Sequence, residues 1–342
     1  MVYKTLPVSQ VPVPMREPFI LTGYRLLHQP WSYYVISLFK WNNEALSVWS
    51  HLLSAIFLIL QTLYYGQTYD LLSNEDGKKI LMFSIGCVSM TSLSAFAHLM
   101  HSKSVKYHYV CFLFDYSGIA LYAYSTALGS LYICSEPYIY SVLEHYYIPV
   151  TVALGTVTFM LTVIAKLKVT NPFSWQRKCL MIVPYVIYAV WVSTPIIFRY
   201  RACFYDNGCS LTSLNHISLV YCLFILTAAV YSTHLPEKWR PGNYDNIGQS
   251  HQTFHYCSLA TIVMQLVAIR TDIEQGQSQH AVFNFRSGSM GFIIFFIINT
   301  LIILYYLPLI ASNSQQFEQP MRKHQMRNNQ IHNNQSYTKK KK

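Results

Sequence analysis

Ser250-His251-Gln252-Thr253-Phe254-His255 sets two imidazoles four residues apart at the start of an apolar run that continues to Ile269. In a helix, residues four apart share a face, so both rings can address one small object. Ser94-Ala95-Phe96-Ala97-His98 repeats the spacing with a hydroxyl and a third imidazole. Seventeen residues beyond His98, Asp115 stands in the otherwise apolar run around Phe114-Asp115-Tyr116-Ser117-Gly118. Ionisable groups inside or at the edge of a membrane span are expensive and mark functional candidates. Three neutral imidazoles with the fourth position left to water form the open, catalytic type of zinc site. A carboxylate beside such a site can orient the water or accept its proton, since the metal lowers the pKa of that water to about 7. The expected metal ligands are His98, His251 and His255, with Asp115 and Ser94 as the reactive or polar partners. Gln252 follows His251, so the Glu of a His-Glu-x-x-His protease is absent. For any one of these histidines, an interfacial side chain bonded to a backbone carbonyl is the plain alternative.

The elements that must position these residues follow from composition. The 342 residues are 52% hydrophobic and 11% charged, against roughly 25% charged in a soluble domain. Stretches of about 20 residues, the length of a helical crossing, recur near 48–68, 80–100, 110–133, 146–165, 179–198, 215–235, 250–269 and 289–311. The expected fold is an all-α integral membrane protein, a seven-span receptor-like bundle with an eighth C-terminal span. Residues 1–47 form an N-terminal segment in which Trp31, Tyr34, Leu38 and Trp41 recur at helical spacing, as in a helix lying at the membrane surface. Residues 48–311 form the membrane domain, and 312–342 a polar, basic tail expected to be disordered. No secretory apolar core precedes residue 18, so the first span serves as the targeting signal. On this division Asp115 is the only acidic residue within a span.

Lys and Arg counts between spans orient the bundle, because short cytoplasmic loops are enriched in both. One side carries nineteen of the 25, including both termini, and the other six. Both termini are therefore expected in the cytoplasm. His98 then ends an inward span, while Asp115 and the His251/His255 pair begin outward ones, so all four share the cytoplasmic edge. The net charge of +11 reflects topology and the tail and does not point to nucleic acid. Lys339-Lys340-Lys341-Lys342 can touch anionic lipid or act as a Lys-based signal for retention in the endoplasmic reticulum. Of the other histidines, His51 is expected as an interfacial anchor, His101 and His108 in a polar loop, His234 at a helix end, and His145 and His216 on the outer side. Cys134, Cys203 and Cys209 are also outer, where two of the three can pair. Their sequence does not choose the pair.

The set Ser94-x3-His98, Phe114-Asp115-Tyr116-x-Gly118 and Ser250-His251-Gln252-x-Phe254-His255 resembles the progestin and adipoQ receptor family. Gly23-Tyr24-Arg25, Asn43-Glu44, Trp49-x-His51, Leu235-Pro236-Glu237 and Pro241-Gly242-x-Tyr244-Asp245 extend the likeness over roughly residues 19–311. One departure is Ser47, where the family usually has Asn. The resemblance implies zinc (Zn2+) on the matching histidines, a zinc-bound water held by Asp115, and Ser94 beside it. An eighth span and the stretch Ala229 to Glu237 are similar to the membrane progestin receptor branch. What that implies is a plasma-membrane receptor for progestin-like steroids or related lipids, signalling to a G protein or another cytoplasmic partner. The alternative is a zinc-dependent, ceramidase-like lipid amide hydrolase with Asp115 as general base.

Overall fold

The structure is a computed structural model that describes residues 4–169, 174–206 and 209–339, with side chains through Glu318. Among the described residues its regular structure is all helical, apart from one isolated bridge between Leu6 and Tyr24. The helices are α1 (Trp31–Ser37), α2 (Ala45–Tyr69), α3 (Glu75–Met100), α4 (Val105–Tyr132), α5 (Pro137–Leu143), α6 (Tyr147–Lys168), α7 (Trp175–Val192), α8 (Thr194–Tyr205), α9 (Asn215–Thr233), α10 (Ser250–Glu274) and α11 (Phe285–Lys339). Their starts are legible locally. The side chains of Asn74, Ser104 and Ser174 accept backbone N–H bonds at the first turns of α3, α4 and α7, meeting donors that a helix cannot satisfy itself.

Among the described residues six helices are long and apolar enough to cross a membrane, and α7 with α8, bent by 53°, passes the same test as a pair. The bend falls where Pro195, lacking an N–H, enters the first turn of α8. At 28 residues, α4 is about 42 Å long, and only its polar content keeps it out of that set. It occupies the middle of the bundle, packed on α3, α6 and α11. The closest approach is at Gly86 of α3, where an added Cβ would fall 2.5 Å from the Ser125 Cβ of α4. By contrast, α9 and α11 keep most of their apolar surface exposed, the face a lipid-embedded bundle presents to acyl chains.

One feature of α10 differs from the sequence reading. The last turn of α10 runs past Ile269 to Glu274, which brings in Asp272, a fully buried acid, so Asp115 is not the only one within a span. Arg199 of α8 donates to both Asp272 carboxylate oxygens at 2.7 and 3.0 Å, and His216 Nε2 lies 2.9 Å from Oδ1. This pairing meets the requirement that a buried charge be compensated. A disulfide joins Cys203 to Cys209, the choice the sequence left open, and leaves Cys134 a buried free thiol. At the other end, Glu318 of α11 accepts from Val105 N at 2.8 Å and so caps α4 from a different helix.

Candidate metal centre

The N-terminus of α10 is built by the loop before it. Glu237 is buried, and its carboxylate accepts from the backbone N–H and the hydroxyl of Ser250, an acid where the helix dipole favours one. Gln252 donates to Asn246 O at 2.9 Å and accepts from Gly248 N at 2.8 Å. These contacts fix the turn that carries His251 and His255.

The C-terminal turn of α3 is fixed from the N-terminal segment. The Arg25 guanidinium donates to the carbonyls of His98 and Leu99, which the helix leaves without partners. The segment is pinned in turn by Asp245, which accepts from Leu21 N, Thr22 N and Thr22 Oγ1 at 3.0, 2.7 and 2.6 Å. Between these anchors Gly23 has φ +86°, and a Cβ there would lie 2.5 Å from Asn246 Oδ1; only glycine meets both conditions.

His98 Nε2 and His251 Nε2 face each other at 3.0 Å. One nitrogen from each of His98, His251 and His255 lies within 4.8 Å of the others. Tetrahedral zinc with Zn–N near 2.05 Å sets its nitrogens about 3.3 Å apart, a spacing that the His98–His251 pair approaches. The outer nitrogens are assigned by their partners. Glu44 Oε2 accepts from His98 Nδ1 at 2.7 Å. The Ser50 hydroxyl donates to Ser47 O at 2.9 Å, so at 2.8 Å it accepts from His255 Nδ1. Both rings therefore keep an Nε2 lone pair, the form a metal ligand needs. The facing His98 Nε2 is met either by an N–H of His251 or by a cation between the two rings, and the donor set fits a divalent metal that prefers nitrogen.

Asp115 is buried with the Ser94 hydroxyl as its side-chain partner, and it does not join the three nitrogens within ligand distance. The five expected site residues thus lie toward one end of the bundle, three as a possible ligand set and Asp115 with Ser94 apart from it. His98 and His255 are buried, while His251 is partly open.

Sequence reasoning missed the surrounding shell. His101 and His108 are buried rather than in a polar loop. Glu44 Oε1 lies 3.2 Å from His101 Nε2, and His101 Nδ1 lies 3.2 Å from His108 Nδ1. Burial alone would drive the Glu44 carboxyl toward its neutral form, but His101 and His98 hold it well below the usual carboxylate range. His51 is no interfacial anchor: it is 3% exposed and stacks on His255 with ring centroids 3.6 Å apart. Asn43-Glu44 and Trp49-x-His51 were visible as motifs, but polarity alone does not say which polar residue another segment will cover.

Residues 39–266 match the Haemolysin-III related family. The chain belongs to this family, the progestin and adipoQ receptors. Within the progestin and adipoQ receptor family it is 32% identical over 270 residues to the human (Homo sapiens) membrane progestin receptor alpha, covering 79% of this chain and 77% of that protein. It is 30% identical over 288 residues to the mouse (Mus musculus) membrane progestin receptor beta, covering 84% and 80%. With the human beta receptor the identity is 31% over 289 residues. The family match spans Glu44, Ser94, His98, Asp115, His251 and His255.

Proposed function

We propose that this chain is a multi-pass membrane receptor for a progestin-like steroid or a related lipid, with zinc held by His98, His251 and His255 near the cytoplasmic face. The observation that carries the receptor reading is its likeness, over about four fifths of the chain, to relatives named membrane progestin receptors. A cavity of about 210 Å³ among α3, α4 and α7 to α10 supports it. On α4 its lining runs from Ile119 to Ser130, about 17 Å of helix, and Ile119 lies one turn from Asp115. Tyr122, Tyr185, Tyr188, Tyr221 and Gln265 line it, and no charged side chain does, which suits a largely apolar ligand. Plasma-membrane residence and a cytoplasmic signalling partner, such as a G protein, belong to the same proposal. Saturable binding of radiolabelled progesterone to the purified protein tests it. Binding competed by unlabelled progestins is the expected result, and no saturable component across progestins would remove the reading.

The ligand set itself favours a second reading. Three histidines rather than four protein ligands leave a position open, and Asp115 with Ser94 lies outside the ligand set. A zinc ion there would supply a Lewis acid for an amide carbonyl or water. Asp115 would accept a proton at its carboxyl oxygen, and Ser94 would hold that carboxyl in place. Glu44 and Ser50 would keep the imidazoles oriented throughout. Release of fatty acid from ceramide by wild type, lost in Asp115→Asn, is the expected result for this amide hydrolase reading; turnover unchanged in the variant would sink it.

A further inference from the structure

The three-histidine centre leaves one imidazole beside it unused. His51 is 3% exposed, and neither of its ring nitrogens has a hydrogen-bond partner. Among the described residues it is the one buried histidine in that condition. Buried polar atoms without partners are rare in native proteins and signal an absent water, ion or ligand.

Its π-face is accounted for by the stack on His255, with rings 3.6 Å apart and inclined by 22°. A phenylalanine would stack as well without burying two polar atoms, so stacking does not explain the residue type. The neighbouring hydroxyls are engaged elsewhere. Ser50 bonds Ser47 O and His255 Nδ1, and Ser54 donates to Ser50 O. His51 does not fall within ligand distance of the set His98, His251 and His255, so it is not a fourth metal ligand.

We propose that His51 is a ligand-binding residue of this centre, hydrogen-bonding a small polar group (a hydroxyl, a carbonyl oxygen or a small anion) that takes the position left open by the three histidines. The proposal rests on the metal reading above and adds the residue that recognises what the metal would hold. Two consecutive residues of α2 then serve His255 differently: Ser50 orients its ring, and His51 covers one face while offering an edge to the ligand.

The test uses the full-length purified protein loaded with cobalt(II), whose visible spectrum reports coordination, titrated with azide as the probe. Wild type is expected to take up cobalt and to bind azide saturably. His51→Phe keeps the stack and removes the hydrogen bond; it should retain the cobalt while azide affinity falls about tenfold or more, the equivalent of one lost hydrogen bond. His51→Gln, which restores a donor and an acceptor, should recover most of that affinity. Should His51→Phe not fold, His51→Leu gives the same comparison with a smaller side chain. Unchanged azide affinity in the apolar variant would overturn the proposal, as would loss of cobalt from it. A wild-type protein that takes up no cobalt would overturn the metal reading itself, a failure distinct from the others.

Discussion

His98 is held on three sides: Arg25 binds its carbonyl, Glu44 its Nδ1, and His251 meets its Nε2. Outer partners of metal-ligating histidines typically contribute 10- to 100-fold to affinity. Glu44→Gln should therefore weaken zinc binding by about 10- to 100-fold while the chain still folds, as read by competition with a chromophoric chelator. Asp115→Asn, outside the ligand set, should leave the affinity within about threefold of wild type in the same assay. The three histidines were legible because a four-residue spacing at the mouth of an apolar run is a local signal. Glu44, His101, His108 and His51 were not, because their burial depends on the N-terminal segment and α2 closing over them, contacts between residues far apart in sequence.

At the scale of elements, α10 shows where hydropathy misleads. The apolar run ends at Ile269, yet the helix continues to Glu274 because Asp272 is paired with Arg199 and hydrogen-bonded to His216. Removing one partner of a buried pair leaves an uncompensated charge and costs about 3–5 kcal/mol. Arg199→Ala should lower the thermal midpoint in detergent by several degrees, whereas Arg270→Ala, which breaks the exposed pair with Glu274 and a distant contact with the Tyr65 ring, should change it by no more than about a degree. Equal midpoints for the two variants would show that Asp272 is not held by this pair. The existence and order of the long helices were readable from apolar runs. The 53° break between α7 and α8 was not, since Pro195 marks a place where a helix can break without fixing the angle.

For the whole molecule, the charge count sets an expected orientation, and the order of the helices separates two polar clusters. The residues expected at the cytoplasmic edge converge at one end of the bundle, while the disulfide Cys203–Cys209 and the Arg199–Asp272 pair lie at the other. In intact cells with the protein at the surface, a membrane-impermeant thiol reagent should label Cys203 and Cys209 only after reduction; labelling without reduction would mean the pair is open. Tags on either terminus should be reached by antibody only after permeabilisation. The central claim is that His98, His251 and His255 hold zinc together, and metal analysis of purified wild type beside His98→Ala tests it most directly. About one zinc per chain in wild type and about a tenth of that or less in the variant is the expected result for a centre with three protein ligands; equal zinc in both, or none in wild type, would contradict it.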